Sequence, residues 1–486
     1  MKVALMLCPQ WDTEFPTYSS ALLTALLKRR GHEVGFFDLN VALDERCRTL
    51  GLGSGPEINV LNPWTDREFV EGPFMSRHGA WFEGEIDKAL AQGYRTFGFS
   101  VFFSNAVASG RAAALIKRKD PGAVVVFGGP LTMEAGFRRR ILDELPDVDA
   151  VIPGEADASL PDFVDALEES GRLSARPGVV LRGGGEGSGG AEAFADLDAL
   201  PFADYGGHAL ASYGNRMSIH SCRGCVRRCT FCTDWRLMTY RQMSGRRMFD
   251  EVVHQLRVHP EVRDFLFADS LVNGDMKNLD AFCDLLLRSG VRTTWQGYAI
   301  VRPQMTPSFL AKMAAAGCRC LFYGVESGSQ DLLNAMKKGT SVELNAKVLH
   351  DTTAAGIRTV MFWIVGHPAE SERTFSESLR FLEVNARAIG DISTTLFSLQ
   401  GDDSAPPDSP GDHHLFWTGS SGSNSFPVRI ERLRRVIRTA SDLGIPARLE
   451  GKFDAAETAS RCGTLLEAYR RHRAREAATQ LWRGAR

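Results

Sequence analysis

The sequence predicts an α/β protein with three parts: a doubly wound, Rossmann-like parallel sheet, a partial (β/α)6 TIM-like barrel, and a small, mostly helical C-terminal region. Two observations lead to this prediction. Short apolar segments alternate with amphipathic helices over the first third of the chain, and the same alternation restarts near residue 217 after a break. The chain has 486 residues, which is enough for two or three domains.

The first alternating series predicts a domain at residues 1–168. Its predicted strands are residues 3–7, 34–37, 96–102, 123–127 and 150–152, and its predicted helices are residues 19–29, 82–91 and 106–117. In the first helix, Leu22, Leu23, Leu26 and Leu27 share one face. Short apolar strands separated by helices indicate a parallel sheet covered on both faces, and such sheets bind ligands at the carboxyl ends of their strands.

A linker is predicted at residues 169–213, where the alternation fails and a glycine-rich run at 182–190 suggests a hairpin tip. The barrel is predicted at residues 214–400, with a helix at 247–258 and strands at 217–220, 264–268, 293–298, 320–323, 359–365 and 394–398. The C-terminal region, residues 401–486, begins with a loop at 401–425 that is rich in Gly, Pro, Ser and Asp. Two helices, at 429–443 and 455–482, follow it.

Charge and hydropathy exclude several classes of function. The formal net charge of −2 gives no electrostatic reason for a nucleic-acid partner. No apolar run approaches the roughly 18 residues of a membrane span, and the short apolar start of the chain, ending at Pro9, is typical of a buried strand rather than a signal peptide. We therefore expect a cytoplasmic protein whose partners include neither membrane nor nucleic acid.

Cysteine spacing is the main chemical signal. Four of the ten cysteines lie within eleven residues, in Cys222-Arg-Gly-Cys225-Val-Arg-Arg-Cys229-Thr-Phe-Cys232, which is unlike a disulfide scaffold and indicates metal binding in a reducing compartment. Three thiolates at spacings of four and three residues can hold three irons of a [4Fe–4S] cubane, and the fourth iron stays open to a chelating molecule. Zinc with Cys222 as a fourth ligand is the alternative; otherwise Cys222 is structural or has an accessory role.

The run Cys225-Val-Arg-Arg-Cys229-Thr-Phe-Cys232 resembles the cluster motif of the radical S-adenosylmethionine (SAM) superfamily, and the likeness extends over about residues 215–400. Further matching segments are Phe267-Ala-Asp-Ser270, Gly324-Val-Glu-Ser-Gly-Ser329 and Phe362-Trp-Ile-Val-Gly-His-Pro-Ala-Glu370. The resemblance implies a [4Fe–4S] cluster on Cys225, Cys229 and Cys232, cleavage of SAM to a 5′-deoxyadenosyl radical, and an external one-electron reductant.

The same resemblance implies SAM contacts from Phe231, Asp269, Ser270, Glu326, Ser327 and Gly366. Glu326 and Asp269 can accept hydrogen bonds from an ammonium group, and Phe231 can pack beside adenine. Structural alternatives stand beside these roles: Asp269 caps the next helix, Gly366-His-Pro is a turn, and Phe231 is a core residue.

The order of the domains resembles the cobalamin-binding branch of the superfamily. The matching residues are Gly31-His-Glu-Val34 with Asp38-Leu-Asn40, Gly98-Phe-Ser100, Phe127-Gly-Gly-Pro130 and Val151-Ile-Pro-Gly-Glu155. The resemblance implies cobalamin contacts from Phe102, Phe103, Ser104, Asn105, Gly128, Gly129, Gly154 and Glu155. The string Asp-x-His-x-x-Gly, whose histidine binds cobalt in the better known cobalamin fold, is absent, so base-off cobalamin without a histidine ligand is expected. A nucleotide or no ligand is the alternative, although the Gly-x-Gly-x-x-Gly fingerprint is also absent.

These resemblances imply a cobalamin-dependent radical SAM methyltransferase. It would transfer a methyl group from methylcobalamin to an unactivated carbon of a small molecule or natural-product precursor. The alternatives are a radical cyclase or rearrangement enzyme without net methylation, and a cobalamin-binding module with a structural cluster. No residue is assigned as an acid or base. Residues 401–486 are expected to cover the substrate, with Phe416 and Trp417 as candidate contacts; both aromatics could instead anchor the loop to the protein.

Overall fold

The structure is a computed structural model that describes residues 1–52, 63–184, 194–398, 413–417, 424–449 and 454–484. Across these residues, no helix combines the length and the apolar character that a membrane crossing requires. The chain divides into two compact units. Of the described residues, unit 1 contains 1–52, 63–223 and 237–268, and unit 2 contains 224–236 and those from 269 onward.

The described strands are β1 (Lys2–Leu7), β2 (Glu33–Asp38), β3 (Thr96–Ser100), β4 (Val124–Gly128), β5 (Ala150–Val151), β6 (Val180–Leu181), β7 (Arg216–Ile219), β8 (Cys222–Arg223), β9 (Arg241–Gln242), β10 (Asp264–Phe267), β11 (Thr294–Ala299), β12 (Cys318–Glu326), β13 (Arg358–Val365), β14 (Asp391–Leu396) and β15 (Ala447–Leu449).

The described helices are α1 (Tyr18–Arg29), α2 (Leu39–Thr49), α3 (Arg67–Phe69), α4 (Met75–Ala91), α5 (Ala106–Lys119), α6 (Ala135–Glu144), α7 (Ser159–Ser170), α8 (Asp234–Leu237), α9 (Gly245–Val258), α10 (Met276–Ser289), α11 (Pro307–Ala315), α12 (Gln330–Ala335), α13 (Val342–Ala354), α14 (Glu372–Asn385), α15 (His413–Phe416), α16 (Phe426–Asp442) and α17 (Ala455–Gly484).

Unit 1 contains a six-stranded sheet in the order β2-β1-β3-β4-β5-β6. Side chains of β1 alternate between two cores: Ala4 and Met6 pack in one, and Val3 and Leu5 pack in the other. Helices α4 and α5 supply buried residues to the first core, and α1 and α7 supply the second. A sheet with a core and helices on each face is the doubly wound form that the sequence predicts, and this prediction is confirmed.

The predicted linker is folded into unit 1. Strand β6 pairs antiparallel with β5, so the sheet is not wholly parallel. Beyond it, the short 3₁₀ turns Leu197–Ala199 and Leu210–Tyr213 bring Leu197, Leu210 and Tyr213 into buried positions. Unit 1 also contains the parallel pair β7 and β10 and the antiparallel pair β8 and β9.

Unit 2 contains the parallel strands β11 to β15 in sequential order. Four of its helices, α10, α11, α13 and α14, begin at a side chain that accepts a backbone N–H of the first turn; these side chains are Asp275, Thr306, Ser341 and Ser371. All six strands predicted for the barrel series are present, and the TIM-like alternation is confirmed. Parallel strands end at one edge, so the residues that follow β12 and β13 lie at the same edge of the sheet.

Candidate active site

The three cluster cysteines lie on one short loop of unit 2, residues 224–236. Cys229 is buried, and Cys225 and Cys232 are partly exposed. The loop is held tightly: the backbone N–H of Cys232 donates to the Cys229 carbonyl at 3.3 Å, and the Trp235 indole donates to the same carbonyl at 3.0 Å. The backbone N–H of Arg227 lies 3.4 Å from Cys225 Sγ, and such a donor would stabilise a thiolate there.

The donor set suits a [4Fe–4S] cubane. Burial raises the pKa of Cys225 and Cys229, and burial together with the Asp234 carboxylate raises the pKa of Cys232 to about 12. These thiolates therefore need positive charge, which irons would supply. A [4Fe–4S] cluster takes each thiolate on a different iron, and three cysteines on one loop suit that arrangement.

A buried ion pair accompanies the cysteine loop. Lys338 Nζ donates to Glu326 Oε1 at 2.8 Å, and both side chains are about one-tenth exposed. Although burial opposes its charge, Glu326 and then Cys229 hold the pKa of Lys338 above its ordinary value. Glu326 has a φ of +68°, a left-handed conformation that costs about 1–3 kcal/mol in a residue with a side chain. Such strain in a buried acidic residue is typical of a binding site.

Phe231 packs against an apolar group of unit 2 rather than standing free. The group consists of Met336, Ile364 and Phe397, and Phe231 and Trp417 pack against it. Lys338 Nζ also lies 5.5 Å from the centre of the Phe231 ring, within the range of a cation–π contact. Phe231 is therefore partly a core residue. Its predicted contact with adenine stays a prediction.

Two predicted SAM residues follow β10. Asp269 is buried, and it is not the cap of the next helix, because Asp275 accepts the N–H groups of Lys277 and Asn278 at the start of α10. Within unit 2, Ser270 donates to Asp234 Oδ2 at 2.6 Å and so contacts the cysteine loop.

Ser327 and Gly366 are engaged in local structure. Ser327 shares a hydrogen bond with Ser378 at 2.8 Å, and its Oγ accepts the N–H of Ser329 at 3.0 Å. Gly366 has a φ of +87° and begins a turn in which Glu370 N–H donates to the His367 carbonyl at 2.7 Å. The turn alternative for Gly366-His-Pro is therefore correct as a description of the backbone.

The two candidate substrate residues have different surroundings. Phe416 is 5% exposed and contacts the rings of Phe426 and Tyr469 edge to face, so it holds α15 against the C-terminal helices. Trp417 is partly exposed; its indole donates to the Phe397 carbonyl at 3.2 Å. Most of the predicted covering loop, residues 401–412 and 418–423, lies outside the described residues.

The residues predicted to contact cobalamin lie at or after the carboxyl ends of β3, β4 and β5, at one edge of the unit 1 sheet. Phe103 is 43% exposed, and a side-chain carbon at Gly154 would meet nothing within 4 Å, so this edge has open space. Asn105 is instead fully buried, where its side chain donates to the carbonyls of Cys8 and Ser100. The arrangement fits a flat macrocycle lying on the edge, with Asn105 shaping the backbone beneath it.

Glu155 has partners that the sequence did not indicate. Within unit 1 it forms ion pairs with Arg223 and Arg241, and Arg223 also pairs with Asp157. Although burial opposes it, the two arginines hold the pKa of Glu155 below its ordinary value. The carboxylate joins the end of the first sheet to the β8–β9 pair, and its predicted contact with cobalamin stays a prediction.

Sequence reasoning missed Lys338, Asp234 and Arg429. Lys338 stands in the run Met336-Lys-Lys-Gly339, twelve residues after Glu326, and a lysine in a surface-like run gives no sign of burial. Asp234 follows the last cluster cysteine, Cys232, by two residues, and this proximity is visible in the sequence. Arg429 is the first residue of a predicted helix, and the sequence does not indicate its burial.

Comparison with known proteins gives one family match and several distant relatives. Residues 219–382 match the family model described as the radical SAM superfamily. An anaerobic magnesium-protoporphyrin IX monomethyl ester cyclase of Cereibacter sphaeroides is 27% identical over 276 residues, which are 54% of this chain and 44% of the relative. A hopanoid C-3 methylase of Methylococcus capsulatus is 27% identical over 234 residues, 46% of this chain and 43% of that protein.

Among solved structures, the radical SAM methyltransferase TsrM from Kitasatospora setae, with cobalamin and a [4Fe–4S] cluster bound, matches with a TM-score of 0.64 and 16% identity. The match covers 91% of this chain and 88% of that one, so the two proteins share a fold over nearly their whole lengths. The chain spans about half the length of the curated relatives it matches.

Proposed function

We propose that this chain, which belongs to the radical SAM superfamily through residues 219–382, is a cobalamin-dependent radical SAM methyltransferase acting on a small molecule. One observation carries the proposal: the fold of a cobalamin-bound radical SAM methyltransferase extends over 91% of the chain. The hopanoid methylase among the relatives supports methyl transfer to carbon. An external one-electron donor completes the set of partners.

The chain's own residues hold and orient the cofactors. Cys225, Cys229 and Cys232 would hold the cluster, and the buried Glu326 carboxylate is suited to the ammonium of SAM, while Lys338 fixes that carboxylate in place. When bound, SAM and the cluster supply a 5′-deoxyadenosyl radical, and cobalamin supplies the methyl group. The apolar group of Met336, Ile364 and Phe397, on which Phe231 packs, would exclude water from the SAM site, and water exclusion protects reactive species.

The unit 1 sheet edge would carry cobalamin. Phe103 and Gly154 border open space at this edge, and no histidine is among the residues predicted to contact cobalamin. This composition supports cobalamin without a histidine on cobalt. The chain would then need only the shape of the edge and its backbone groups to place the macrocycle.

Product accounting tests the methyltransferase. The reduced, reconstituted protein is supplied with methyl-deuterated SAM and fractionated metabolite extract, and S-adenosylhomocysteine, 5′-deoxyadenosine and labelled products are quantified by mass spectrometry. Methylation by this chemistry yields both SAM-derived products in equal amounts with a deuterated methyl group in the product. Formation of 5′-deoxyadenosine with no S-adenosylhomocysteine under any fraction would refute methyl transfer.

The cyclase relative favours a second candidate, radical cyclisation without net methylation. A cyclase would form 5′-deoxyadenosine without stoichiometric S-adenosylhomocysteine, and its product would keep the carbon count of the substrate. The same incubation therefore separates the two candidates.

A further inference from the structure

Arg429, on α16, is a buried guanidinium without a carboxylate partner in the described part of the chain. It is 1% exposed, and its Nη2 donates to the Trp417 carbonyl at 2.6 Å. Its Nε is buried and has no acceptor. Burial lowers the pKa of Arg429 to about 10, against the weaker opposite effects of Tyr469 and Glu370. A buried ion without a counterion is expensive, and so it calls for an explanation.

Arg432, one turn along the same helix, has a carboxylate partner, although its Nε, like that of Arg429, has no acceptor. It is 3% exposed, and its Nη1 donates to Glu370 Oε2 at 3.0 Å and to Asn424 Oδ1 at 3.1 Å. Glu370 Oε2 also accepts the N–H of Gly366 at 2.9 Å. Among the described residues, Glu370 is therefore the ion-pair partner of Arg432, and Arg429 keeps an unused donor at Nε.

Arg429 lies where a barrel strand ends. Its aliphatic stem packs on Gly366, directly after β13, so closely that a side-chain carbon there would lie 2.3 Å from Arg429 Cδ. Its guanidinium lies 3.8 Å from the centre of the Trp417 ring. Trp417 packs on the same apolar group as Phe231, the residue between the cluster cysteines. The unused Nε donor therefore belongs to a side chain that reaches the cysteine loop through one shared apolar group, at the strand edge where such folds bind ligands.

We propose that Arg429 binds the carboxylate of the substrate, whose apolar or aromatic body packs beside Trp417. This inference rests on the proposed function and narrows its substrate to a carboxylic acid. The planar guanidinium matches a carboxylate with two parallel hydrogen bonds, and the ring beneath it holds its plane. One guanidinium balances the single charge of a carboxylate, whereas a phosphate monoester carries about −1.5 to −2 at neutral pH.

Thermal unfolding separates a binding role from a structural one. R432M leaves Glu370 buried without its cation, and we expect its Tm to fall by about 5 °C or more. R429M removes an unpaired buried charge while keeping the aliphatic stem, so its Tm should stay the same or rise, as at residues that sacrifice stability for function. A Tm for R429M that falls as far as that of R432M would show that Arg429 is structural and would overturn the proposal.

Ligand binding gives the direct test on the reconstituted full chain. The probes are 3-phenylpropionate and its neutral amide, titrated by saturation-transfer NMR. The carboxylate should bind the unsubstituted protein about tenfold more tightly than the amide, R429M should lose that preference, and R429K should recover part of it. No preference in the unsubstituted protein, or an unchanged one in R429M, contradicts the proposal.

The carboxylate of SAM is the competing source of the same chemistry. Equilibrium dialysis measures SAM affinity for both proteins, and R429M should bind SAM as the unsubstituted protein does; a tenfold loss would assign Arg429 to the cofactor and overturn the substrate assignment. Probe binding needs no turnover. A protein that discriminates between the probes but forms no S-adenosylhomocysteine would therefore disprove the methyltransferase and not the carboxylate site.

Discussion

At the scale of single residues, the site is built from charges that burial makes expensive. The thiols of the cysteine loop have raised pKa values, and Glu326 is held in a left-handed conformation beside Lys338. Each of these features costs free energy in the folded protein, and each is balanced by a cation that is present or by cofactors that would bind.

The cysteine triad should carry the whole cluster. Replacing Cys225, Cys229 and Cys232 together by Ala should reduce bound iron and sulfide from about four of each per chain to near zero, because a [4Fe–4S] cubane on three thiolates has no other protein ligand. Chemical iron and sulfide analysis measures this. C222A is the matched control and should keep the cluster; loss of the cluster in C222A would return Cys222 to the ligand set.

Lys338 should contribute more to the unfolding free energy than a surface lysine does. K338M leaves the buried Glu326 carboxylate without its cation, and such a loss costs about 3–5 kcal/mol of unfolding free energy. K347M is the control: Lys347 pairs with Asp351 on the surface of α13 at 2.5 Å, and its loss should cost about 0.5 kcal/mol or less. Denaturant unfolding measures the unfolding free energy of both variants. Equal losses would show that the buried ion pair of Lys338 and Glu326 contributes no more to stability than a surface pair.

Outside its motifs, the sequence predicted few of the individual site residues. The spacing of the cysteines predicts one loop, and the structure places them on one loop. Arg429 and Lys338 could not be found in this way, because their importance comes from burial and from partners 12 residues away or more, Glu326 and Trp417. A residue pattern contains no record of such tertiary contacts.

At the scale of elements, apolar periodicity predicted the regular strands and helices well. The predicted strand at residues 3–7 is Lys2–Leu7, and the predicted helix at 247–258 is Gly245–Val258. Strand β6 was missed because only two residues pair before a glycine-rich run, and β15 was missed because three residues have no detectable period. The long β12 was predicted short, since Gly324 interrupts its apolar pattern.

The junction of β13 and α16 should be intolerant of a side chain. G366A combines a positive φ with contact against the Arg429 stem at 2.3 Å, and we expect a loss of about 2–4 kcal/mol in unfolding free energy. Gly356 has a similar φ of +79° but nothing within 4 Å, so G356A should cost only about 1 kcal/mol. Denaturant unfolding of both variants measures the difference in unfolding free energy. Equal losses would mean that the Arg429 side chain can move away from residue 366 without destabilising the fold.

At the scale of the whole molecule, the order of the folded parts along the chain supports the proposed function. The doubly wound sheet precedes the segment that matches the radical SAM family model, and the fold match to TsrM covers 91% of the chain. The sequence predicted this order because alternating patterns are long-range signals repeated many times along the chain. It could not predict the substrate, because substrate specificity depends on a few side chains, as we propose for Arg429, that no sequence pattern marks.

The central claim is that one chain holds both a [4Fe–4S] cluster and cobalamin. Anaerobic electron paramagnetic resonance of the reconstituted protein, with cobalt and iron quantified on the same sample, tests it most directly. The account predicts one reducible cluster and one cob(II)alamin per chain, with no nitrogen splitting of the cobalt signal from a histidine. A protein that binds the cluster but takes up no cobalamin, or a cobalt signal split by imidazole nitrogen, would contradict it.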